Sequence, residues 1–267
     1  AEKLSIQPTK LIDEEMSSLW FLFDCSFKLP KVHFYATIYD NTKDHYNNPM
    51  ERIYYSLWST VFDFVFRSEK YELSLAGAHS SLNSCRQGLS LSMVSFSQSL
   101  LPSLQAVLSA LERTQSYSNR SQFEQILVKF KNSYRNQLLS QPYETANELL
   151  SEVMIHPNYT LEQALEFLDS ISWSKFCDFR SRLMKDKVYL EVGVMGNIAE
   201  SDARLAHKFL VSSITNLFSP STSLHVPTDY HKSIITRVPT DKKLVVQHTV
   251  HLPTEKNSAL VTYFQVG

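Results

Sequence analysis

Glycine is scarce, five among 267 residues, and the scarcity excludes a good deal. A phosphate-cradling loop needs several glycines close together. No G-x-S-x-G nucleophile elbow occurs either. Cysteine is rarer still. Cys25, Cys85 and Cys177 are odd in number, far apart and without a C-x-x-C, which reads as three unpaired thiols in a reducing compartment, the cytoplasm. An excess of one charge is also missing: 26 Lys and Arg face 27 Asp and Glu, for a net charge of −1. Nucleic acid is therefore not an expected partner, since neutralising phosphates takes a basic surplus. No apolar run approaches the roughly 18 residues that would span a bilayer, so no membrane is expected. The N-terminus carries no basic stretch followed by an apolar one, as a signal peptide would. The chain opens at Ala1-Glu2-Lys3 without Met, which suggests a piece of something longer.

Against these absences stand 43% hydrophobic and 12% aromatic residues, enough for a sizeable core. The pattern is clearest from Val32 to Tyr39. Val32, Phe34, Ala36 and Ile38 alternate with His33, Tyr35, Thr37 and Tyr39, so a strand is expected with one face in a core and the other partly solvated. Residues 40–48 read as a polar loop, and Pro49 opens a helix striped by Ile53, Leu57, Trp58, Val61 and Val65. The aromatic cluster around it, Tyr54 to Phe66, is wider than one helix face. Most of it reads as core, with Tyr55 or Phe66 as candidates for touching a neighbouring domain. Two strands, 78–85 and 89–97, flank the turn Arg86-Gln87-Gly88. Helices then follow from about Leu101, from a capping-box pattern at Ser121 to Glu124, over 143–155, from a second capping box at Thr160 to Gln163, and through Trp173 to Leu183. Val188 to Val194 alternates as a strand, Gly196-Asn197 is its turn, and a helix runs from about Ser201 to Phe218. Residues 220–228 read as a linker. Three further strand-like runs, 230–238, 243–251 and 258–266, end the chain without a helix to cover them. A mixed order of this kind implies an α+β fold with an antiparallel or mixed sheet.

One word is specific. Leu19-Trp20-Phe21 followed by Phe27, Lys28, Leu29, Pro30 and Lys31 resembles the entry to the third, middle domain of the insulinase-type zinc metallopeptidases, the family of insulin-degrading enzyme, pitrilysin and nardilysin. Leu73 to Ser81, Leu161 to Ser170, the strand running into Gly196-Asn197, and Tyr230 to Tyr263 are similar to the family in the same order. The resemblance implies a mixed, largely antiparallel sheet with α-helices packed on one face, in the order strand, helix, strand, strand, helices, strand, helix. It implies an entry segment over 1–28, a non-catalytic middle domain over 29–219, and the linker and first strands of the next domain over 220–267. Such enzymes have four similar domains in two halves that close into a chamber around peptides. Their zinc sits in the first domain, on a His-x-x-Glu-His helix with a distant Glu.

The equivalent helix here, Met50 to Phe66, contains no histidine, and neither His-x-x-Glu-His nor His-Glu-x-x-His occurs anywhere. Hence no catalytic or metal residue is expected in these residues, and no cofactor; zinc belongs to the parent's first domain. The expected partners are the other domains of the same polypeptide, the parent's peptide substrates, and a second copy through the open edges of the C-terminal strands. The alternative is a catalytically dead interaction module on the same fold. Remaining constellations are weaker. His248 and His251, three apart on a strand, would point to opposite faces. Asp13-Glu14-Glu15 reads as an exposed linker or helix start, and Asn119 and Asn158 open sequons without a secretory context.

Overall fold

In the computed structural model, which describes residues 7–26, 28–40, 48, 50–183, 188–218, 234–238, 244–249 and 254–264, the chain opens with three strands. These are β1 (Thr9–Asp13), β2 (Ser17–Phe23) and β3 (Lys31–Asp40). Helices α1 (Glu51–Val65) and α2 (Arg67–Leu75) lead to the hairpin of β4 (His79–Cys85) and β5 (Gly88–Phe96). Next come α3 (Leu100–Gln115), α4 (Arg120–Gln137) and α5 (Pro142–Met154), then the short β6 (Ile155–His156). The order ends with α6 (Leu161–Asp169), α7 (Trp173–Arg182), β7 (Val188–Gly196), α8 (Glu200–Phe218) and β8 (Ile234–Ile235).

Six strands form one sheet in the order β1-β2-β7-β3-β5-β4. Every neighbouring pair is antiparallel except β2 with β7. This is the mixed, largely antiparallel α+β sheet expected. Its helix-side face is built from the alternating residues of β3, with Val32, Phe34, Ala36 and Ile38 all buried. Helix α1 lies across that face because Ile53, Leu57, Trp58 and Val61 recur at helical spacing and are completely enclosed. Helices α3 and α8 complete the layer against β5, β2 and β7, while α4 and α7 pack on the outer side of α1. Aromatic rings join the two helical layers: Phe123 of α4 stacks on Phe176 of α7 with centroids 4.6 Å apart, and Tyr54 of α1 on Phe179 at 5.0 Å. These contacts place Tyr55 and Phe66 in the core, each 1% exposed, which corrects the idea that either reaches a neighbouring domain.

Several boundaries differ from the sequence reading. Residues 9–13 and 17–23, expected within an entry segment, are strands of the sheet. Helix α4 is capped by Asn119, whose side chain accepts from the Gln122 N–H, and Glu124 pairs with Arg120 instead of closing a box on Ser121. Thr160 and Gln163 do form their capping box. Of the three C-terminal runs, the described residues hold one strand, Ile234–Ile235, paired with β6; 244–249 and 258–264 are not strands. Alternation alone does not make a strand, because the backbone groups also need a partner ladder. Pro49, Phe27 and His251 lie outside the described residues.

Candidate functional site: the uncovered sheet face

Register across six strands sorts the opposite face into rows. The central row runs Lys10, Trp20, Gly193, Tyr35, Ser92, Ser81 from β1 to β4. On one side lie Ser18, Glu191, Thr37 and Ser90; on the other, Leu22, Met195, His33 and Val94. The centre of this face is open, with Tyr35 47% and Met195 37% exposed, while Ser18 at the β2 end is buried. The face is not an apolar core surface awaiting cover. Small hydroxyls fill the β4–β5 side, where the Ser81 and Ser92 hydroxyls are 2.9 Å apart. Aromatic rings occupy the middle.

Gly193 sets the relief of this face. It stands mid-strand in an unbroken register, and a Cβ built on it would meet nothing within 4 Å. A bare backbone therefore lies between the in-register Trp20 and Tyr35, leaving a notch in the sheet surface. A glycine inside a strand weakens it and often marks a close approach by another group. Polar contacts fix the surroundings. The Tyr39 hydroxyl donates to the Glu191 carboxylate at 2.8 Å, and burial with that carboxylate pushes the phenol up, so it remains a donor. Lys10 donates to Asp13 at 2.9 Å, a bond that raises its ammonium, and lies 5.1 Å from the Trp20 ring centroid.

The signature residues separate into two places. Leu19 is completely buried on the helix side, with Phe21 packed against the same core, while Trp20 faces the open side. Pro30 and Lys31 meet Gly196 and Asn197 at one end of the sheet. There the Asn197 N–H donates to the Lys31 carbonyl at 3.0 Å, the Ser97 N–H to the Pro30 carbonyl at 2.9 Å, and the Ser97 hydroxyl to the Asn197 carbonyl. Gly196 has φ +135°, and a Cβ would stand 2.3 Å from the Lys31 carbonyl oxygen, so only glycine fits where β7 ends against β3. Leu29 is exposed beside this junction. The sequence reading missed Gly193, since its place between Trp20 and Tyr35 comes only from pairing with residues far away in the chain.

Among the described residues no group of three or more His, Cys, Asp and Glu is placed to hold a metal ion. The described residues therefore do not fit a zinc site. Cys25 is exposed, and Cys85 and Cys177 are half-buried free thiols; burial pushes Cys85 up, away from a reactive thiolate. No helix among the described residues is long and apolar enough to cross a membrane.

Residues 1–167 match the family described as the middle or third domain of peptidase M16. A nardilysin-like protein of Arabidopsis thaliana is 24% identical over 97% of the chain, and the A-factor-processing enzyme of Saccharomyces cerevisiae 20% identical over 79%. The chain spans only 24% and 20% of those relatives' lengths. The crystal structure of pitrilysin superposes on 83% of the chain with a TM-score of 0.69 at 20% identity, using 23% of its own length. An inactive M16 peptidase domain from Pseudomonas fluorescens superposes on 78% with a TM-score of 0.53 at 14% identity, using 50% of its own length. The chain belongs to the M16 peptidase family, as its middle domain.

Proposed function

We propose that this domain is a non-catalytic part of a larger zinc metalloendopeptidase, and that its uncovered sheet face forms wall of the chamber in which that enzyme holds peptides. The observation that carries the reading is the one-sided dress of the sheet. Helices cover the face built from Val32, Phe34, Ala36 and Ile38, and the face bearing Trp20, Gly193 and Tyr35 is open at Tyr35 and Met195 and polar enough to meet water and peptide. Its partners on this reading are the other domains of the same polypeptide and the peptide substrates. Zinc would be held by residues of another domain, and the three free thiols suit a cytoplasmic enzyme. Self-association is part of the same proposal, supported by the exposed Val245, Leu260 and Phe264 in the C-terminal segments.

The test uses the full-length enzyme. Tyr35→Lys and Gly193→Phe should raise the KM for peptides with little change in kcat, whereas the isolated chain should cleave no peptide and hold no stoichiometric zinc. Unchanged KM in both variants would sink the wall reading. A second reading, a stand-alone interaction module, draws on the likeness to the inactive Pseudomonas domain. A reading frame lacking His-x-x-Glu-His upstream would favour it.

A further inference from the structure

On the helical side, remote from the uncovered face, a groove of about 350 Å³ runs between the α1–α2 elbow and α4. Its floor is apolar, made by Phe64 and Ile126. Its rim carries an excess of positive charge. Arg67, Lys70 and Lys129 are three cations against one carboxylate, Asp63, in a chain whose net charge is −1. Lys70 uses that carboxylate at 2.7 Å. Arg67 lies over the Phe64 ring, 4.9 Å from its centroid, and neither it nor Lys129 pairs with a carboxylate among the described residues. The Gln122 amide oxygen already accepts from the Tyr117 hydroxyl at 3.1 Å, which leaves its NH₂ group for the groove.

We propose that this groove docks an acidic segment of a partner protein, with an apolar side chain of that segment seated on Phe64 and Ile126 and flanking carboxylates on Arg67 and Lys129. Charge complementarity selects an anionic occupant. The layout selects a peptide over a phosphate compound. Phosphate sites gather backbone N–H groups onto one point, but the N–H groups here are consumed inside the helices, Phe66 donating to the Phe62 carbonyl at 2.8 Å and Lys70 to Phe66 at 2.9 Å. Cations on both walls of an open, apolar-floored groove suit a chain lying along it. Guanidinium on an aromatic face is held flat with its donors outward, ready for a carboxylate. This docking is independent of the chamber reading, because it uses the other side of the domain.

The probe is a short dye-labelled peptide, rich in glutamate with a central leucine, titrated with the intact chain and followed by fluorescence anisotropy. Saturable binding should appear at low salt and weaken as salt rises, since these charges are exposed and screened over about 10 Å at 0.1 M. Lys129→Glu should weaken it several-fold and Arg67→Glu with Lys129→Glu more than about tenfold, a loss of some 1.4 kcal/mol or more. Lys208→Glu, on α8, should leave it unchanged, and circular dichroism should show each variant folded. Both substituted side chains in the groove are exposed, so loss of fold is not expected; if the double variant does unfold, Lys129→Gln read alone decides. No saturable binding, equal binding of a lysine-for-glutamate peptide, or binding insensitive to Lys129→Gln would overturn the proposal. So would displacement of the peptide by inorganic phosphate at equimolar amounts, which would make this a phosphate site.

Discussion

Phe34 and Tyr35 are neighbours in β3, yet Phe34 is completely enclosed beneath the helices and Tyr35 keeps 47% of its surface on the opposite face. The same contrast repeats along β7, where Val192 and Val194 are buried and Gly193 between them has open space above it. On the covered side, side-chain volume is the constraint, because close-packed atoms leave no slack. The uncovered side is constrained by hydrogen bonding and by what the surface offers to something outside the domain. Substitutions should therefore have unlike consequences on the two faces, even one residue apart.

The largest difference is expected between Trp58 and Tyr35. Trp58→Ala empties a completely buried ring under the sheet and should cost about 3–5 kcal/mol. Tyr35→Ala should stay within about 0.5 kcal/mol. Urea midpoints of the two variants give the comparison directly, and similar losses would mean the open face is packed after all. Next come the two glycines of β7. Gly196→Ala forces a Cβ to 2.3 Å from the Lys31 carbonyl oxygen at φ +135°, and should cost more than about 2 kcal/mol. Gly193→Val places a Cβ that meets nothing within 4 Å, restores strand propensity, and should be neutral or stabilising by up to about 1 kcal/mol. A destabilising Gly193→Val would show that the notch serves the fold itself.

A smaller effect is expected at Tyr55, which donates to the buried Asp40 carboxylate. Burial, followed by that carboxylate, pushes the Tyr55 phenol well above 10.0. The folded phenol resists ionising while the unfolded one does not, so stability is complete below pH 10.0 and falls as pH rises beyond it. Tyr55→Phe should cost about 1–2 kcal/mol at neutral pH and make the alkaline decline shallower. Tyr39 and Tyr134, whose phenols are also raised, keep the remaining slope. An unchanged alkaline slope would place the titrating group elsewhere.

How much of this could be read from residues alone follows the same division. Covered elements announced themselves: the alternation from Val32 to Tyr39 and the stripe of Ile53, Leu57, Trp58 and Val61 predict both element and buried face, because burial on one side imposes the period. β2 did not. Its run Leu19-Trp20-Phe21-Leu22-Phe23 has no alternation, since Trp20 and Leu22 on the open face are as apolar as Leu19 and Phe21 on the helix side. The opposite failure occurs at 244–249, where alternation is present and no ladder receives it. Neither the notch nor the basic groove was legible. One depends on the pairing β2–β7–β3, the other on the angle between α1–α2 and α4, and no local pattern encodes either.

The smallest effect brings the covered side under a test of pH. His207 of α8 is 3% exposed, and its Nε2 is buried with no hydrogen-bond partner among the described residues. Burial lowers the imidazole below 6.5, with Arg204 acting in the same direction and the Glu14 carboxylate opposing. A depressed folded value means that the unfolded chain takes up the proton first as pH falls. Stability contributed by neutral His207 is thus complete above pH 6.5 and declines as pH drops through the folded value. His207→Leu removes both the titration and the unpaired nitrogen while keeping an apolar side chain against β2. The variant should match or slightly exceed the parent at pH above 6.5, and its stability should fall less between there and the range where carboxylates titrate. Urea midpoints on either side of pH 6.5 provide the measurement. An identical decline in both proteins would mean that water reaches His207 and that the covered face is wetter at α8 than its packing implies.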